Sequence, residues 1–388
     1  MEMKKLPELC NITTGKLDAN AAVENGMYPY FTCGEIPSRI DEYAFDTDAI
    51  LLAGNNAQGN FHVSRYNGKF NAYQRTYVLT AKENCNLDYI YYSLKLALIQ
   101  LKNRSQGSQT KFLTMPILND ISINTSLNQL KIATVLSTLD NKIVLNHRIN
   151  AKLEAMAKRL YDYWFVQFDF PNSEGKPYKS SGGKMVWNEV LKREIPEDWE
   201  VGKIGDFVEI GNGKDHSHLK DGNIPVYGSG GFMRSVTDYL FEGESVLFPR
   251  KGTLNNIMYK NERFWTVDTM FYSKMKLPHS AIYVYYTTKQ FDFSSMNTGT
   301  GVPSMTSVII RGLPIIQPFQ QILDKFDNIV QGFYKQIHKN EKETAKLTNL
   351  RDHLLPLLMN GQVEVGTNNS SEFCNAKLGK QATACDMN

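Results

Sequence analysis

Short apolar runs broken by glycine-rich turns occupy two stretches of the chain, each about 120 residues long. In the second stretch the runs SVLFP and RFWTVDTMFYSKM alternate with the turn sequences GNGK, YGSGG, RKGT and NTGTG. Such runs, bounded by glycine, predict β-strands joined by turns. Each stretch also contains one tyrosine-rich segment, YIYYSLK (residues 89–95) or YVYYTTK (residues 283–289), which we expect to form a helix on the strands.

A heptad pattern follows each β-rich stretch and predicts two long antiparallel helices paired as a coiled coil. Polar residues interrupt both seams: Asn146 and Asn150 in the first, Asn340 and Thr344 in the second. Either these residues meet at one level and fix the register, or the helices splay there and the polar side chains contact water. The seam residues, which are also candidates for subunit contacts, are Ile132, Leu136, Leu139, Ile143, Asn146, Asn150, Leu153, Ala157, Leu160 and Trp164 in the first helix, and Leu323, Phe326, Val330, Phe333, Ile337, Asn340, Thr344, Leu347 and Leu354 in the second.

The two halves of the chain repeat one another. KLPELCNITTGK (residues 5–16) matches KIGDFVEIGNGK (residues 203–214) at an offset of 198. Further matches follow at offsets of 196, 194 and 192, and the two tyrosine-rich segments are the pair at 194. Matches in the same order at a nearly constant offset indicate a duplicated domain of about 195 residues.

We therefore predict an α+β fold: two β-rich heads related by a pseudo-two-fold repeat, separated by two long antiparallel coiled-coil helices. The predicted heads cover residues 1–124 and 200–317, and the predicted helices cover residues 125–166 and 318–360. Residues 167–199, rich in Pro, Gly, Ser and Lys, are expected to be a flexible connector. The tail, residues 361–388, has no periodicity and is expected to be disordered.

Composition narrows the class of protein without identifying a partner. Residues 1–124 hold 12 Lys and Arg against 12 Asp and Glu, and residues 200–317 hold 12 against 11, so any basic surface must be local. The five cysteines form no CxxC pair, which is typical of reduced thiols in a cytosolic protein. The first residues lack the apolar segment of a signal peptide, and no apolar run reaches membrane length. We expect a cytoplasmic protein with no membrane partner.

The loops of the two heads differ, although their scaffold glycines and tyrosines repeat. AGNNAQGN (residues 53–60) corresponds to PRKGTLNN (residues 249–256), and RSQGSQTKF (residues 104–112) corresponds to NTGTGVPSM (residues 297–305). Asn, Gln, Arg and Lys can contact base edges, whereas Ser, Thr and glycine amides suit phosphates; the alternative is that these loops are solvated turns. The candidate DNA-binding residues are Asn55, Asn56, Gln58, Asn60, Arg75, Arg104, Ser108, Gln109, Lys111, Lys214, Ser229, Arg250, Lys251, Thr253, Asn255, Thr298 and Thr300.

The sequence contains no recognisable catalytic motif and no strong metal site. GNGKDHS (residues 211–217) lacks the first part of a phosphate-binding loop and has Asp215 where Ser or Thr should follow the lysine, and an adenine-methyltransferase motif is not found. Asp169, Glu174 and Lys176 have the residue types of a nuclease metal site but lie in the predicted connector. His216 and His218 have no further ligands near them in sequence and are best explained as part of a solvated loop.

Three segments resemble the specificity subunit of type I restriction–modification systems: LYDYWFVQFDFPNSEGKPYKSSGGKMVWNEVLKREIPEDWE (residues 160–200), IPVYGSGG (residues 224–231) and LRDHLLPLLMNGQV (residues 350–363). The resemblance covers residues 5–365. It implies that the heads are target recognition domains, each reading half of a split, asymmetric DNA site, and that the helices set the number of bases between the halves. The implied partners are double-stranded DNA, two methyltransferase subunits and motor–nuclease subunits.

The resemblance also implies that this chain is not an enzyme by itself and binds no cofactor. S-adenosylmethionine, ATP and Mg²⁺ are expected on the partner subunits. Two other functions stay open: a specificity subunit used for methylation only, and a coiled-coil adaptor whose heads bind proteins instead of DNA. The tail beyond Val365 departs from the usual ending of the family.

Overall fold

The structure is a computed structural model that describes residues 2–56, 61–104, 112–125, 128–299 and 301–366. Most of the tail predicted to be disordered, from residue 367 onward, lies outside these ranges. The chain divides into two compact units, residues 1–146 with 342–388 and residues 147–341. None of the helices within the described ranges combines the length and apolarity that crossing a membrane requires.

The first unit contains β1 (Met3–Lys5), α1 (Leu6–Leu9), β2 (Cys10–Thr14), β3 (Tyr28–Phe31), β4 (Ser38–Ile40), β5 (Phe45–Ala53), β6 (Val63–Ala72), β7 (Thr76–Ala81), α2 (Leu87–Arg104), α3 (Met115–Asp120), β8 (Ser122–Asn124) and the first part of α4 (Gln129–Tyr161). The last part of the second long helix completes this unit. Six strands form one sheet in the order β2-β7-β5-β6-β3-β4, antiparallel except for the parallel pair β3 and β6. β1 and β8 form a separate antiparallel pair.

The second unit contains the end of α4, a π-helical turn (Asp162–Val166), β9 (Met185–Asn188), β10 (Arg193–Pro196), β11 (Glu200–Lys203), α5 (Ile204–Phe207), β12 (Val208–Asn212), β13 (Asp221–Gly228), β14 (Gly231–Val236), β15 (Phe241–Pro249), β16 (Met258–Thr266), β17 (Met270–Met275), α6 (Ala281–Thr288), α7 (Ser307–Gly312), β18 (Pro314–Gln317) and the first part of α8 (Gln320–Met359). Its sheet has the order β12-β17-β15-β16-β13-β14, again with one parallel pair, β13 and β16. The duplication predicted from sequence therefore extends to strand order and strand direction.

The strand β5 carries an uninterrupted apolar run because both of its faces are covered. Ile50 and Leu52 pack into a cluster shared with α2, whereas Ala49 and Leu51 pack into a second cluster with Phe70. All five side chains are buried, and burial of each leucine or isoleucine contributes about 1.5–3 kcal/mol. The second cluster is made only of residues from strands of the same sheet.

The tyrosine-rich segment of the first unit is a helix, as predicted, and its hydroxyl groups attach it to neighbouring elements. Tyr89 Oη donates to the carbonyl oxygen of Asn124 at 2.7 Å. Tyr92 Oη donates to Asp140 Oδ2 on α4 at 2.8 Å, and Arg351 donates to the other oxygen of Asp140 at 2.7 Å. Burial and the Asp140 carboxylate both raise the pKa of Tyr92, so this hydroxyl stays protonated and remains a donor.

The second unit repeats this attachment with a different partner. Tyr283 Oη donates to the carbonyl oxygen of Ile316 at 2.7 Å, which corresponds to the Tyr89 contact. Tyr286 and Tyr334 share a hydrogen bond of 3.1 Å between their hydroxyl groups, and Tyr334 takes the place that Asp140 has in the first unit. Burial raises the pKa of Tyr286 to about 12. The contact between the tyrosine-rich helix and the long helix is thus present in both units, but its partner is a carboxylate in the first and a phenol in the second.

The polar residues of the helix seams pair with each other within each unit. In the first unit Asn146 is fully buried and donates to Glu343 Oε2 at 2.9 Å and to Thr344 Oγ1 at 3.3 Å. In the second unit Asn340 is 4% exposed and donates to Asn150 Oδ1 at 2.8 Å. The hypothesis that these residues meet across antiparallel helices is confirmed, and the alternative of splayed, wet helices is wrong.

The expectation of a flexible connector at residues 167–199 is also wrong. Phe168, Phe170 and Trp199 are 4% exposed or less and belong to the main core of the second unit. Phe170 stacks on Trp199 with 4.5 Å between ring centroids. The segment also contains the β9–β10 hairpin. Its many Pro, Gly and Ser residues form ordered turns between these aromatic anchors, and composition alone does not reveal the anchors.

Candidate nucleic-acid interface

In the first head the end of β5 meets two other segments through the backbone. The Gly54 amide donates to the Arg75 carbonyl oxygen at 2.8 Å, and the Leu113 amide donates to the Gly54 carbonyl oxygen at 2.8 Å. Asn55 forms a β-bridge with Phe112, and the Arg75 guanidinium lies over the Phe112 ring at 5.8 Å. We call residues 54–56, 73–75 and 112–113 the basic edge of the first head.

The second head has the same backbone contacts at corresponding positions. The Arg250 amide donates to the Thr269 carbonyl oxygen at 2.8 Å, and the Met305 amide donates to the Arg250 carbonyl oxygen at 2.8 Å. Lys251 forms the β-bridge, with Ser304 as its partner. We call residues 250–256, 267–269 and 303–305 the basic edge of the second head.

The side chains on these two matching frames have been exchanged. Where the first head has Gly54 the second has Arg250, and where the first has Arg75 the second has Thr269. Each edge therefore presents one exposed arginine, Arg75 just before β7 in the first head and Arg250 just after β15 in the second. The Arg250 guanidinium lies over the Phe271 ring at 5.8 Å. A planar guanidinium held over a ring is ordered in advance for bidentate contacts to a guanine edge or a phosphate.

A glycine–lysine pair follows β2 and β12 in the two heads, and the structure explains why the glycine recurs. A Cβ atom added to Gly15 would lie 1.8 Å from the Ala72 carbonyl oxygen at the end of β6, and one added to Gly213 would lie 1.9 Å from the Val267 carbonyl oxygen in the turn after β16. No side chain fits at either point. Lys214, a predicted DNA contact, and Lys16, which was not predicted, are both exposed. The repeated GK dipeptide in the sequence was the available signal for Lys16.

Some predicted contacts in the second head are already engaged within the protein. The Asn255 side chain donates to Asp292 Oδ1 at 3.0 Å and accepts from the Ser294 amide at 3.3 Å. The hydrogen bond from Asn255 lowers the pKa of Asp292. Thr298 Oγ1 donates to the Ser304 carbonyl oxygen at 3.1 Å. These contacts hold the loops in place.

Ser229 lies where the turn before β14 touches the basic edge of the second head. The Asn256 side chain donates to the Ser229 carbonyl oxygen at 2.8 Å. Gly252 has a φ of +89°, and a Cβ atom there would lie 2.7 Å from Ser229 Oγ. Only glycine suits this backbone and this close approach. The loop is therefore locked against the turn.

The remaining predicted DNA contacts can be placed as follows. The exposed ones are Arg75, Lys214, Arg250, Lys251, Thr253, Asn255 and Thr298, and the half-buried ones are Asn55, Asn56 and Ser229. Outside the described part of the chain lie Gln58, Asn60, Ser108, Gln109, Lys111, Thr300 and the side chain of Arg104.

The predicted seam residues all lie on α4, on α8 or in the turn that follows α4. The buried ones are Ile132, Leu136, Ile143, Asn146, Ala157, Trp164, Leu323, Phe326, Val330, Ile337 and Asn340, and the half-buried ones are Leu139, Asn150, Leu153, Leu160, Phe333, Thr344, Leu347 and Leu354. Whether another subunit contacts these positions stays a prediction.

Four of the residues considered for metal chemistry, Asp169, Glu174, Lys176 and His218, make side-chain contacts within the protein. Asp169 accepts hydrogen bonds from the Ser180 amide at 2.7 Å and from Ser180 Oγ at 2.6 Å, and Glu174 pairs with Lys176 at 2.9 Å. His218 lies beside the Trp265 ring. Among the residues that the structure describes, no group of three or more His, Cys, Asp or Glu could hold a metal ion.

The fold and the two basic edges define a protein made of two copies of one β-rich head, each followed by a long helix. A family model described as "Type I restriction modification DNA specificity domain" matches residues 1–155 and residues 196–348. The chain therefore belongs to the type I restriction–modification specificity family, which confirms the resemblance and the fold class inferred from sequence.

Individual relatives agree with this assignment. The MjaIX specificity subunit of Methanocaldococcus jannaschii is 29% identical over 316 residues, 73% of this chain and 71% of the relative. The EcoDI specificity subunit of Escherichia coli is 44% identical over 119 residues, 31% of this chain and 26% of the relative, so that match spans about a quarter of the relative. The crystal structure of a type I S subunit from M. genitalium aligns with a TM-score of 0.61 at 18% identity, covering 92% of this chain and 95% of that one. At this identity the likeness shows the fold alone.

Proposed function

We propose that this chain is the DNA-recognition subunit of a type I restriction–modification complex. Each head reads one half of a split, asymmetric site, and the paired helices set the number of bases between the halves and dock two methyltransferase subunits. Methylation and cleavage reside on partner subunits, which bind S-adenosylmethionine, ATP and Mg²⁺. The observation that carries the proposal is the pair of basic edges: one backbone frame with exchanged side chains.

The exchange suits recognition of two unlike half-sites. Backbone frames held by the same hydrogen bonds place both edges at corresponding positions of their heads, whereas the side chains that reach from them differ in identity and origin. Phosphate contacts fix the position of a protein on the duplex, and contacts to base edges specify the sequence. The constant backbone frame suits the first task, positioning on the duplex, and the variable side chains suit the second, reading the bases.

The first test is to map methylation. The chain is expressed with its cognate methyltransferase subunit in a host free of DNA methylation, and N6-methyladenine is mapped across the genome. We expect one split motif with two unlike halves and a fixed gap. An assembled complex that leaves the genome unmethylated would contradict the proposal and favour a protein-binding adaptor.

The second test assigns an edge to each half-site. Arg75→Ala should relax recognition in one half and Arg250→Ala in the other, each at a cost of about 1–3 kcal/mol in discrimination. Matched controls are Lys69→Ala and Arg263→Ala, which remove cations at corresponding positions outside the basic edges, where they lie over Tyr rings at 4.5 Å and 5.2 Å. Both controls should leave the motif unchanged. Equal losses in both halves from one substitution would contradict the assignment.

The third test concerns the helices as a ruler. Removal of one heptad from each helix shortens a helical rod by about 10 Å, or roughly three base pairs of B-DNA. The methylated motif should keep both halves and lose about three bases from its gap. An unchanged gap in a stable, assembled complex would refute the role of the helices in spacing.

A further inference from the structure

A large apolar side chain stands exposed at the same place in both heads. Ile36, in the turn between β3 and β4, is 84% exposed, and Phe232, at the start of β14, is 63% exposed. The two residues correspond at the repeat offset of 196. The strand pairs share their register as far as Tyr30 opposite Ser38 in one head and Val226 opposite Arg234 in the other, and a β-bulge in the second head then shifts the pairing by one residue before Phe232. Single exposed apolar residues are common, but two at corresponding positions need an explanation.

Both turns begin at the basic edge of their own head. In the first head Cys33 Sγ lies 3.7 Å from the Arg75 carbonyl oxygen. In the second head Ser229 receives the hydrogen bond from Asn256 and contacts the backbone at Gly252. Ile36 and Phe232 each follow this contact by three residues. Because three residues span at most about 10 Å, a ligand as large as a DNA duplex that binds the edge can also reach Ile36 or Phe232.

The second head holds its tip in a defined conformation. Gly231 has a φ of +112°, which favours glycine, and it pairs with Gly228 across the hairpin. A Cβ atom on Gly228 would lie 2.6 Å from Met233 Sδ, so Met233 packs back on the hairpin. Phe232 pairs with Tyr227, which is 6% exposed. Although directly paired residues share one face of the sheet, the Phe232 side chain stays 63% exposed while the Tyr227 side chain is covered.

We propose that Ile36 and Phe232 are wedges that insert between neighbouring base pairs of the bound duplex. The inference rests on the function proposed above. An exposed aromatic or branched aliphatic side chain gains nothing from phosphates in water, but it is buried when it enters a base stack, as in proteins that kink DNA with Phe, Leu or Ile. A wedge would also suit a complex whose methyltransferase has to take an adenine out of the stack, because a step that is already unstacked costs less to open.

The two wedges should differ in strength. Phe232 has the larger apolar surface and follows two glycines, whereas Ile36 follows Glu35, whose carboxylate is repelled by nearby phosphates. We therefore expect the stronger distortion in the half-site read by the second head.

The test uses the assembled methyltransferase complex and a duplex that carries the mapped motif. A fluorescent base analogue, 2-aminopurine for adenine or pyrrolocytosine for cytosine, replaces each base in turn, so that loss of stacking is seen as a rise in fluorescence. With the wild-type chain we expect a rise at one step in each half. Phe232→Ala should abolish the rise in one half only and weaken binding about tenfold, Ile36→Ala should act on the other half, and Phe232→Leu should keep most of the effect.

Matched controls remove apolar side chains that are equally exposed but lie outside the turns. Met27, 68% exposed, precedes β3 at the other end of the first hairpin, and Val308, 67% exposed, lies on α7 of the second head. Met27→Ala and Val308→Ala should leave both fluorescence and affinity unchanged. If Phe232→Ala binds like Val308→Ala, or keeps the rise in fluorescence, the wedge is wrong. Specific methylation without unstacking would overturn the wedge alone, whereas a wild-type complex without specific methylation would overturn the proposed function as well.

Discussion

The hydrogen bond between Asn340 and Asn150 gives a sharp test of how the helix seam is stabilised. Asn340 is 4% exposed, donates to Asn150 Oδ1 at 2.8 Å and accepts from Gln336 Nε2 at 2.7 Å. Asn340→Ala removes a bond worth about 1 kcal/mol and leaves the Asn150 acceptor without its partner inside the seam, for a total of about 2 kcal/mol. The folding equilibrium constant should fall about thirtyfold.

Replacement of both partners should have a different outcome. A variant with Asn150→Leu and Asn340→Leu removes both members of the pair and adds apolar contact, and the exposed Gln336 side chain, which donates to Asn340, can bond to water instead. We therefore expect its stability to be within about 1 kcal/mol of the wild type or higher. The single substitutions should therefore couple by more than about 1 kcal/mol in a double-mutant cycle. A single substitution that destabilises the protein more than the double substitution does is the result expected of a buried polar pair.

The structure supplies a selective probe for this experiment. All four tryptophans, Trp164, Trp187, Trp199 and Trp265, lie in the second unit, so their fluorescence during urea unfolding reports on that unit. With a urea dependence of about 2–3 kcal/mol per molar, a loss of 2 kcal/mol moves the midpoint down by about 0.8 M. Asn328→Ala, an exposed position on the same helix, is the control and should change stability by less than about 0.5 kcal/mol. Equal midpoints for Asn340→Ala and this control would refute the reasoning.

Other substitutions test other parts of the two units. Gly213→Ala should destabilise the second unit by about 2 kcal/mol or more, because its Cβ atom would lie 1.9 Å from a backbone oxygen; an unchanged tryptophan unfolding curve would contradict this. The hydrogen bond with Asp327 raises the pKa of His279, so this pair stabilises the fold fully below about pH 6.5, and the stabilisation is lost as pH rises through the raised pKa. His279→Gln should remove this pH dependence of stability. Parallel stability–pH curves for the wild type and the variant would exclude the pair as its cause. Tyr92→Phe removes the donor to Asp140 and should lower the free energy of unfolding of the first unit by about 1–2 kcal/mol, as measured by circular dichroism. A shift in the tryptophan fluorescence transition, which reports on the second unit, would contradict this prediction.

Local patterns were enough to predict the repeat, the long helices and the tyrosine-rich helices. Heptad spacing depends on residues that are close in sequence, and so does the amphipathic pattern around Tyr89. The buried partners of that helix were not predictable: Tyr92 finds Asp140 on α4, 48 residues away. Such pairs depend on how elements pack, and the repeat itself gives no guidance, because Tyr286 has a tyrosine in place of the aspartate.

The basic edges show a different limit of sequence reasoning. The parallel pairing of β3 with β6 brings Phe31 next to Ala72, so the turn after Phe31 and the turn that contains Arg75 become neighbours. The loop sequences do not predict the contact between Cys33 and Arg75, because it depends on strand register across more than forty residues of chain. Arg75 and Arg250 were both among the candidates named from sequence, but the sequence could not show that they belong to corresponding frames.

Residue-by-residue alignment of the two heads would pair Arg75 with Thr269 and Gly54 with Arg250, and would conclude that each arginine has been lost from the other head. The backbone hydrogen bonds lead to the opposite conclusion. Gly54 and Arg75 bond to each other, as do Arg250 and Thr269, so each frame holds one arginine and the cation has moved from one strand end to the adjoining one. Because the two positions are in contact, either origin leaves the positive charge on the edge while changing the direction from which the guanidinium reaches. A duplicated reader can therefore keep its attraction to phosphates and alter the bases it contacts by exchanging side chains across a single hydrogen bond, and specificity in such proteins is better compared by frame than by aligned position.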